Sequence, residues 1–201
     1  NVVRILGVHE EAVLPCIEME FVQGHALEDV LKTHGKITAA KAVEIGIGVA
    51  RGLGAVHAHG LIHRDVKPGN VIVDAEGTAK IVDFGLAKDQ FLSAMTQPGQ
   101  ILGTASYMAP EQWEDEEVGA HSDVFALGAT LYHLMCGHSP FDGDDLDEIA
   151  DMALAGEYEP PRTLVPEISE DLELVLHQML MPNPRFRYAR AEDCAADLER
   201  A

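Results

Sequence analysis

The sequence predicts an α+β fold in which a few short strands are combined with a mainly helical region. In residues 38–60, apolar side chains recur every three or four positions, the period of a helix with one buried face. Short stretches rich in Val and Ile, near the N-terminus and at 71–83, are typical of strands. With 201 residues and 47% hydrophobic content, the chain can bury one sizeable core, so we expect one domain or a large part of one.

The N-terminal elements are predicted to be two strands and two helices. Residues 1–8 and 14–22 resemble strands that are joined by a polar turn. A short helix is expected over 26–35, where Gly35 is a stop signal. Thr38 is then the expected N-cap of a long helix over 39–60, because its hydroxyl can accept a hydrogen bond from the first turn.

The remaining elements alternate between strands, one long loop and helices. Two strands are expected at 71–74 and 79–83, joined by a tight turn. Residues 86–110 show no clear period and are predicted to form a loop. Helices are predicted at about 121–136, 144–155, 169–181 and 189–200.

Composition and charge exclude several classes of protein. A formal charge of −20 argues against a nucleic-acid partner, because phosphates would be repelled. Cys16, Cys136 and Cys194 are far apart, which is unlike a disulfide framework or zinc site and typical of a reducing compartment. The longest apolar run, 124–137, is too short to span a bilayer, and no signal peptide opens the chain. We therefore expect a cytoplasmic protein, or the cytosolic part of a longer membrane-anchored one.

Three motifs follow one another in a fixed order. Residues 63–70 read HRDVKPGN, residues 83–85 read DFG and residues 109–111 read APE. A chance match at these eleven fixed positions is on the order of 10⁻¹⁴ for a given alignment. The set resembles the eukaryotic-like (Hanks-type) serine/threonine protein kinases. The residues in and around the motifs are most similar to those of the bacterial members. The resemblance covers the whole chain and implies that residues 1–22 form the end of the small lobe and the hinge, and residues 23–201 the large lobe.

The resemblance implies transfer of the γ-phosphate of ATP to Ser and Thr hydroxyls of proteins. Asp65 is expected to accept the proton of the substrate hydroxyl and to orient it. Lys67 would place its ammonium against the γ-phosphate, where negative charge develops. Asn70 and Asp83 would supply oxygen ligands to Mg²⁺. Thr104 occupies the position where the family's serine/threonine members have a threonine, and its hydroxyl would bridge Asp65 and Lys67.

The resemblance also assigns residues to adenine binding. Met19 would be the gatekeeper at the back of the pocket, and Ile72 would form the floor under adenine. The Glu20 carbonyl and the Val22 N–H would make the hydrogen bonds to the base. Without the motifs, an ordinary edge strand is the alternative interpretation of this stretch.

Further residues are given supporting roles by the resemblance. His63 would pack against Phe84, and Asp123 would hold the backbone of the catalytic loop. Glu111 and Arg187 would form a buried ion pair that ties the APE segment to the last helices.

A regulatory role is expected for the long loop. Arg64 can bind a phosphate bidentately, and bacterial relatives often carry a phosphorylated threonine where this chain has Thr96. Autophosphorylation at Thr96, with Ser93 as the second choice, would then order the loop. The alternative is that both are solvated hydroxyls.

Some parts of the family pattern are missing from the 201 residues. No G-x-G-x-x-G motif occurs, and Lys32, Lys36 and Lys41 lie at the wrong positions for the family's strand lysine. These parts would belong upstream of Asn1, so we expect the 201 residues alone to bind ATP poorly and to have weak or no activity. A non-catalytic kinase-like scaffold or binding module remains the alternative function.

Overall fold

Five short strands form two antiparallel sheets in the computed structural model, which describes residues 1–9, 16–83, 98–114 and 116–201. One sheet is the pair β1 (Ile5–His9) and β2 (Cys16–Met19), in which Ile5 faces Met19 and His9 faces Cys16. The other has the order β3-β4-β5 and consists of β3 (Gly24–Ala26), β4 (Val71–Asp74) and β5 (Ala79–Ile81).

Helices make up most of the rest of the described chain, which confirms the predicted α+β class. Thr38 caps the second helix as expected, and its Oγ1 accepts from Lys41 N at 3.3 Å. The helices are α1 (Leu27–His34), α2 (Ala39–His57), α3 (Pro98–Ala105), α4 (Pro110–Trp113), α5 (Ala120–Cys136), α6 (Leu146–Ala155), α7 (Pro161–Leu164), α8 (Glu170–Met179) and α9 (Ala191–Leu198), with 3₁₀ turns at Pro68–Asn70 and Pro184–Phe186.

The centre of the helical region is α5. Its side chains are buried almost throughout, and it packs against α2, α8 and α9. Leu127 and Leu131 of α5 join Leu53 of α2 and Leu176 of α8 in one core cluster. The longest apolar run of the sequence is therefore the central helix of the fold. Within the described residues, no helix combines the length and the hydropathy that a membrane crossing requires.

Several short elements were absent from the sequence prediction. β3 follows β2 directly and pairs with β4, so Ala26 lies beside Ile72. Gly24 permits this close approach, because a Cβ there would overlap the Val73 carbonyl. The helices α4 and α7 have four residues each and are too short to show a period. The end of the predicted loop 86–110 also differs, since Pro98–Ala105 is helical.

Candidate active site

The loop between α2 and β4 carries the HRD motif, and Asp123 in the first turn of α5 holds its backbone. The Asp123 carboxylate, 1% exposed, accepts His63 N at 2.8 Å and Arg64 N at 2.7 Å. His57 Nε2, at the end of α2, lies 2.7 Å from Asp123 Oδ2. Arg64 has a left-handed φ of 69°, which is strained for a residue with a side chain. The buried carboxylate therefore fixes a backbone conformation that would be unfavourable in isolation.

Two polar side chains, Asn70 and Lys67, contact the carboxylate of Asp65 in this loop. Asp65 Oδ2 lies 2.8 Å from Asn70 Nδ2 and 2.9 Å from Lys67 Nζ. Asn70 Nδ2 also donates to the Asp65 carbonyl at 2.8 Å. Lys67 Nζ donates to Thr104 Oγ1 at 3.0 Å, which connects the loop to α3. The sequence predicts that Thr104 bridges Asp65 and Lys67, and the structure shows its contact with Lys67.

Asp83 lies at the end of the strand next to Asn70. Val82 N donates to the Asn70 carbonyl at 3.0 Å, and His63 Nε2 lies 3.0 Å from the Val82 carbonyl. Asp83 is exposed and has a left-handed φ of 61°. The expected contact of His63 with Phe84 lies outside the described residues.

The side-chain oxygens of Asn70 and Asp83 are suitable ligands for a hard cation. Both hydrogens of the Asn70 amide nitrogen are directed to Asp65, so its oxygen is the atom that remains to act as a ligand. The exposed Asp83 carboxylate can supply a second hard oxygen ligand. In the described ranges, no group of three or more His, Cys, Asp or Glu side chains is arranged to hold a metal by itself. A cation bound here would need further oxygen ligands, such as phosphates.

The predicted adenine-binding residues belong to both sheets and to the segment between them. Met19 ends β2, and Ile72 lies half-buried in β4. Glu20 N donates to the Arg4 carbonyl at 2.9 Å, and Glu20 Oε1 accepts from Lys80 Nζ at 2.7 Å. The hydrogen bond from Lys80, together with one from the Arg4 N–H, lowers the pKa of Glu20. This ion pair ties the segment that contains Val22 to β5, a contact that no motif indicated.

The predicted pair of Glu111 and Arg187 is present and buried. Two parallel hydrogen bonds of 2.7 Å join the guanidinium to the carboxylate, and the side chains are 0% and 1% exposed. Ser122 Oγ donates to the same carboxylate at 2.6 Å. Burial opposes ionisation of Glu111, but the hydrogen bonds from Arg187 and Ser122 outweigh it, so the pKa of Glu111 lies below its ordinary value.

An open cavity of about 640 Å³ lies on the other side of Glu111, between α4, α6 and the segment 182–185. Its lining includes Glu114, Glu116, Glu117 and His121. None of the polar side chains that surround Asp65 lines it. We therefore assign this cavity no part in chemistry at Asp65.

Comparison with known proteins identifies the family. The model of the protein kinase domain matches residues 1–197. The chain belongs to the protein kinase family. It is 38% identical over 189 residues to the serine/threonine-protein kinase PknB of Mycobacterium tuberculosis, which is 93% of this chain and 30% of that protein. A probable serine/threonine-protein kinase of Clostridium perfringens is 34% identical over the whole chain and 29% of its own length.

These matches confirm the resemblance to bacterial Hanks-type serine/threonine kinases that the motifs indicated. The kinase domain spans about 30% of the length of the curated relatives that it matches. Sequence reasoning missed His57, Gln112 and the contact between Lys80 and Glu20. Their hydrogen-bond partners are 66, 48 and 60 positions away in the sequence, respectively. No local sequence pattern therefore indicates these contacts.

Proposed function

We propose that this kinase domain transfers the γ-phosphate of ATP to serine and threonine hydroxyls of proteins, and acts in signalling. One observation carries the proposal: a single carboxylate, Asp65, lies within 2.9 Å of both Asn70 and Lys67, and Lys67 is 3.0 Å from Thr104. The names of the relatives, which are serine/threonine-protein kinases, support the same activity.

Asp65 has the chemistry of a base and an orienting group. Its carboxylate can accept the proton of an incoming hydroxyl and direct the hydroxyl oxygen along the line of attack. Asn70 and Lys67 both contact Asp65 Oδ2 and hold the carboxylate in one orientation. Lys67 can also stabilise the negative charge on the phosphoryl group in transfer. Thr104 keeps the ammonium of Lys67 at this position.

Nucleotide and metal would be held by the residues around this cluster. When bound, Mg·ATP would supply the phosphoryl group, and the metal would neutralise charge on its oxygens. Asn70 and Asp83 are the proposed Mg²⁺ ligands. Met19, Glu20, Val22 and Ile72 are the proposed adenine contacts, with Glu20 and Val22 acting through their backbone.

The proposed division of the chain follows from these roles. Residues 1–22 would belong to the small lobe and hinge, and residues 23–201 to the large lobe. We place the activity in the cytoplasm, where ATP is available, and propose that protein substrates are its partners.

The first prediction concerns Asp65 in the full-length protein. Asp65→Asn should lower the turnover number by about two to four orders of magnitude, because the side chain loses its basicity but keeps its shape. The affinity for nucleotide should change little. Phosphorylation of a peptide library with Ser or Thr at a fixed position measures the effect, and Asp151→Asn in α6, an exposed position, is the matched control.

A scaffold without catalysis would give a different result. The parent protein would then phosphorylate neither the library nor itself, and Asp65→Asn would leave partner binding intact. Near-normal phosphorylation by Asp65→Asn would show that the role given to Asp65 is wrong.

The second prediction concerns regulation. Thr96 and Ser93 lie outside the described residues, and the proposal rests on the sequence and on the position of Arg64 beside the catalytic aspartate. A phosphate adds close to two negative charges and three acceptor oxygens, which an arginine can pair. After incubation with Mg·ATP, mass spectrometry should find phosphate at Thr96, with Ser93 as the second choice. An unmodified loop in a protein that phosphorylates substrates at full rate would contradict this.

A further inference from the structure

We propose that Gln112 is a positioning residue that fixes the catalytic loop at Arg64, the residue before Asp65. This inference rests on the proposed function, and it concerns the same site. Gln112 lies in α4, directly after the APE motif, and its amide joins two segments that the reaction needs. The APE motif covers residues 109–111 and ends at Glu111, so the motif assigns no role to Gln112.

The amide of Gln112 makes two hydrogen bonds that require one orientation. Gln112 Nε2 donates to the Arg64 carbonyl at 3.3 Å, and Gln112 Oε1 accepts from Ala109 N at 2.9 Å. The Arg64 carbonyl can only accept, and the Ala109 N–H can only donate. A carboxylate or an apolar side chain at position 112 could therefore not satisfy both partners.

The first hydrogen bond completes the fixation of Arg64. Asp123 Oδ1 holds the Arg64 N–H at 2.7 Å, and Gln112 holds the carbonyl of the same residue. Arg64 has a φ of 69°, a conformation that persists only where its surroundings impose it. The peptide bond after Arg64 leads directly to Asp65, so the orientation of that peptide sets the direction of the Asp65 side chain.

The second hydrogen bond holds the amide of Gln112 on Ala109, in the segment that follows Thr104, so that the first hydrogen bond connects this segment to the catalytic loop. Ala109 is five residues after Thr104, and backbone hydrogen bonds from Tyr107 to Thr104 and from Met108 to Ala105 make the intervening chain a tight turn. The amide of Gln112 thus sets the distance between the two segments that Lys67 and Thr104 also join. The adjacent Glu111, anchored in its buried pair, fixes the start of α4.

The experiment compares two substitutions of Gln112 in the full-length protein. Gln112→Glu keeps the acceptor for Ala109 N but removes the donor to Arg64, whereas Gln112→Met removes both. Tyr132→Phe is the matched control, because it also deletes a hydrogen bond from a side chain to a carbonyl, that of Glu159 at 2.8 Å. Each variant is measured by amide hydrogen exchange and by steady-state kinetics.

Both Gln112 variants should exchange about fivefold faster or more in the peptide that covers 61–70, because Arg64 loses one of its two restraints. Only Gln112→Met should also exchange faster in 104–110. The turnover number should fall about tenfold in both, with the KM for ATP within about twofold of the parent, since a misdirected Asp65 affects the chemical step. Tyr132→Phe should change neither the exchange in 61–70 nor the turnover number.

Parent-like exchange in 61–70 for both Gln112 variants would overturn the inference, and so would an equal increase in Tyr132→Phe. The exchange result does not depend on activity. If the parent protein phosphorylates nothing, the proposed function fails while the exchange measurement still decides the role of Gln112. If the parent is active and the Gln112 variants match it in turnover number, the positioning role is wrong and the proposed function stands.

Discussion

At the scale of single residues, Asp83 differs from the other charged groups of the proposed site because it is exposed. Asp65 and Lys67 are partly buried, Asn70 is buried, and the three hold one another, whereas Asp83 lies exposed two residues after β5. Its removal should therefore affect ligands more than folding.

In the full-length protein, Asp83→Ala should abolish Mg²⁺-dependent binding of ATP and leave the helical region folded, because a proposed metal ligand is lost without a core contact. Calorimetric titration with Mg·ATP measures the binding, and circular dichroism the fold. Since φ at this position is 61°, Asp83→Asn serves as a second variant, because asparagine adopts this conformation more easily than alanine. Equal binding of Mg·ATP by the parent and the variants would show that Asp83 is not a Mg²⁺ ligand.

At the scale of elements, a pair of rings, Tyr107 buried and His133 partly buried, joins the segment after α3 to the end of α5. Tyr107 Oη lies 2.6 Å from His133 Nδ1, and the two rings are stacked with centroids 6.1 Å apart. Burial raises the pKa of Tyr107, so the phenol keeps its proton. Burial lowers the pKa of His133 and nearby His138 adds to this, while Asp142 opposes it. His133 is therefore uncharged near neutral pH.

This pair should make the stability depend on pH. Because the pKa of His133 is below its ordinary value of 6.5 in the folded state, the unfolded chain binds the proton more readily just below that pH. The contribution of the uncharged His133 to the stability of the fold is complete above pH 6.5 and is lost as the pH falls below that value. In His133→Gln, which stays neutral, the free energy of unfolding should decrease less on acidification than in the parent. Urea unfolding at a series of pH values measures this.

A histidine at the surface provides the control for this measurement. His34→Gln, at an exposed position of α1, removes one histidine without altering the pair of rings. The same pH dependence in His133→Gln and in the parent would show that the pair does not carry the effect.

At the scale of the whole molecule, the pair of Glu111 and Arg187 connects segments that are 76 positions apart. Arg187 also donates to the Met181 and Pro182 carbonyls, at 2.5 Å and 2.6 Å. Its guanidinium lies 4.9 Å from the centroid of the Phe125 ring in α5. One buried cation thus joins α4, α5 and the chain that leads to α9.

Glu111→Gln should lower the free energy of unfolding by roughly 3–5 kcal/mol, because the guanidinium remains buried without its counter-ion. Arg187→Met should cost a similar amount, and the double substitution less than the sum of the two, since no unpaired charge remains. Urea unfolding of the four proteins gives these values. Glu173→Gln, which breaks the more exposed contact with Arg162, is the control and should cost about 1 kcal/mol or less. Additive losses in the double variant would contradict the coupling.

The sequence predicted most of the long elements because their patterns are local. The helices expected at 121–136, 144–155 and 169–181 are observed as Ala120–Cys136, Leu146–Ala155 and Glu170–Met179. A helix with one buried face shows a hydrophobic period, and a helix buried on all sides, such as Ala120–Cys136, shows a long apolar run. Short elements such as β3 have no period to detect, and their pairing partner is distant in sequence.

The order of the motifs by itself determined the family and named Asp65, Lys67, Asn70 and Asp83 as candidates, because the motifs of the kinase family keep fixed residues at fixed spacing. Only the tertiary structure decided which groups hold these candidates in place. The carbonyl of Arg64 meets Gln112 across 48 positions, and Tyr107 meets His133 across 26. Such hydrogen bonds depend on how α4 and α5 pack against the loops, and that packing is set by the whole core rather than by residues near each partner.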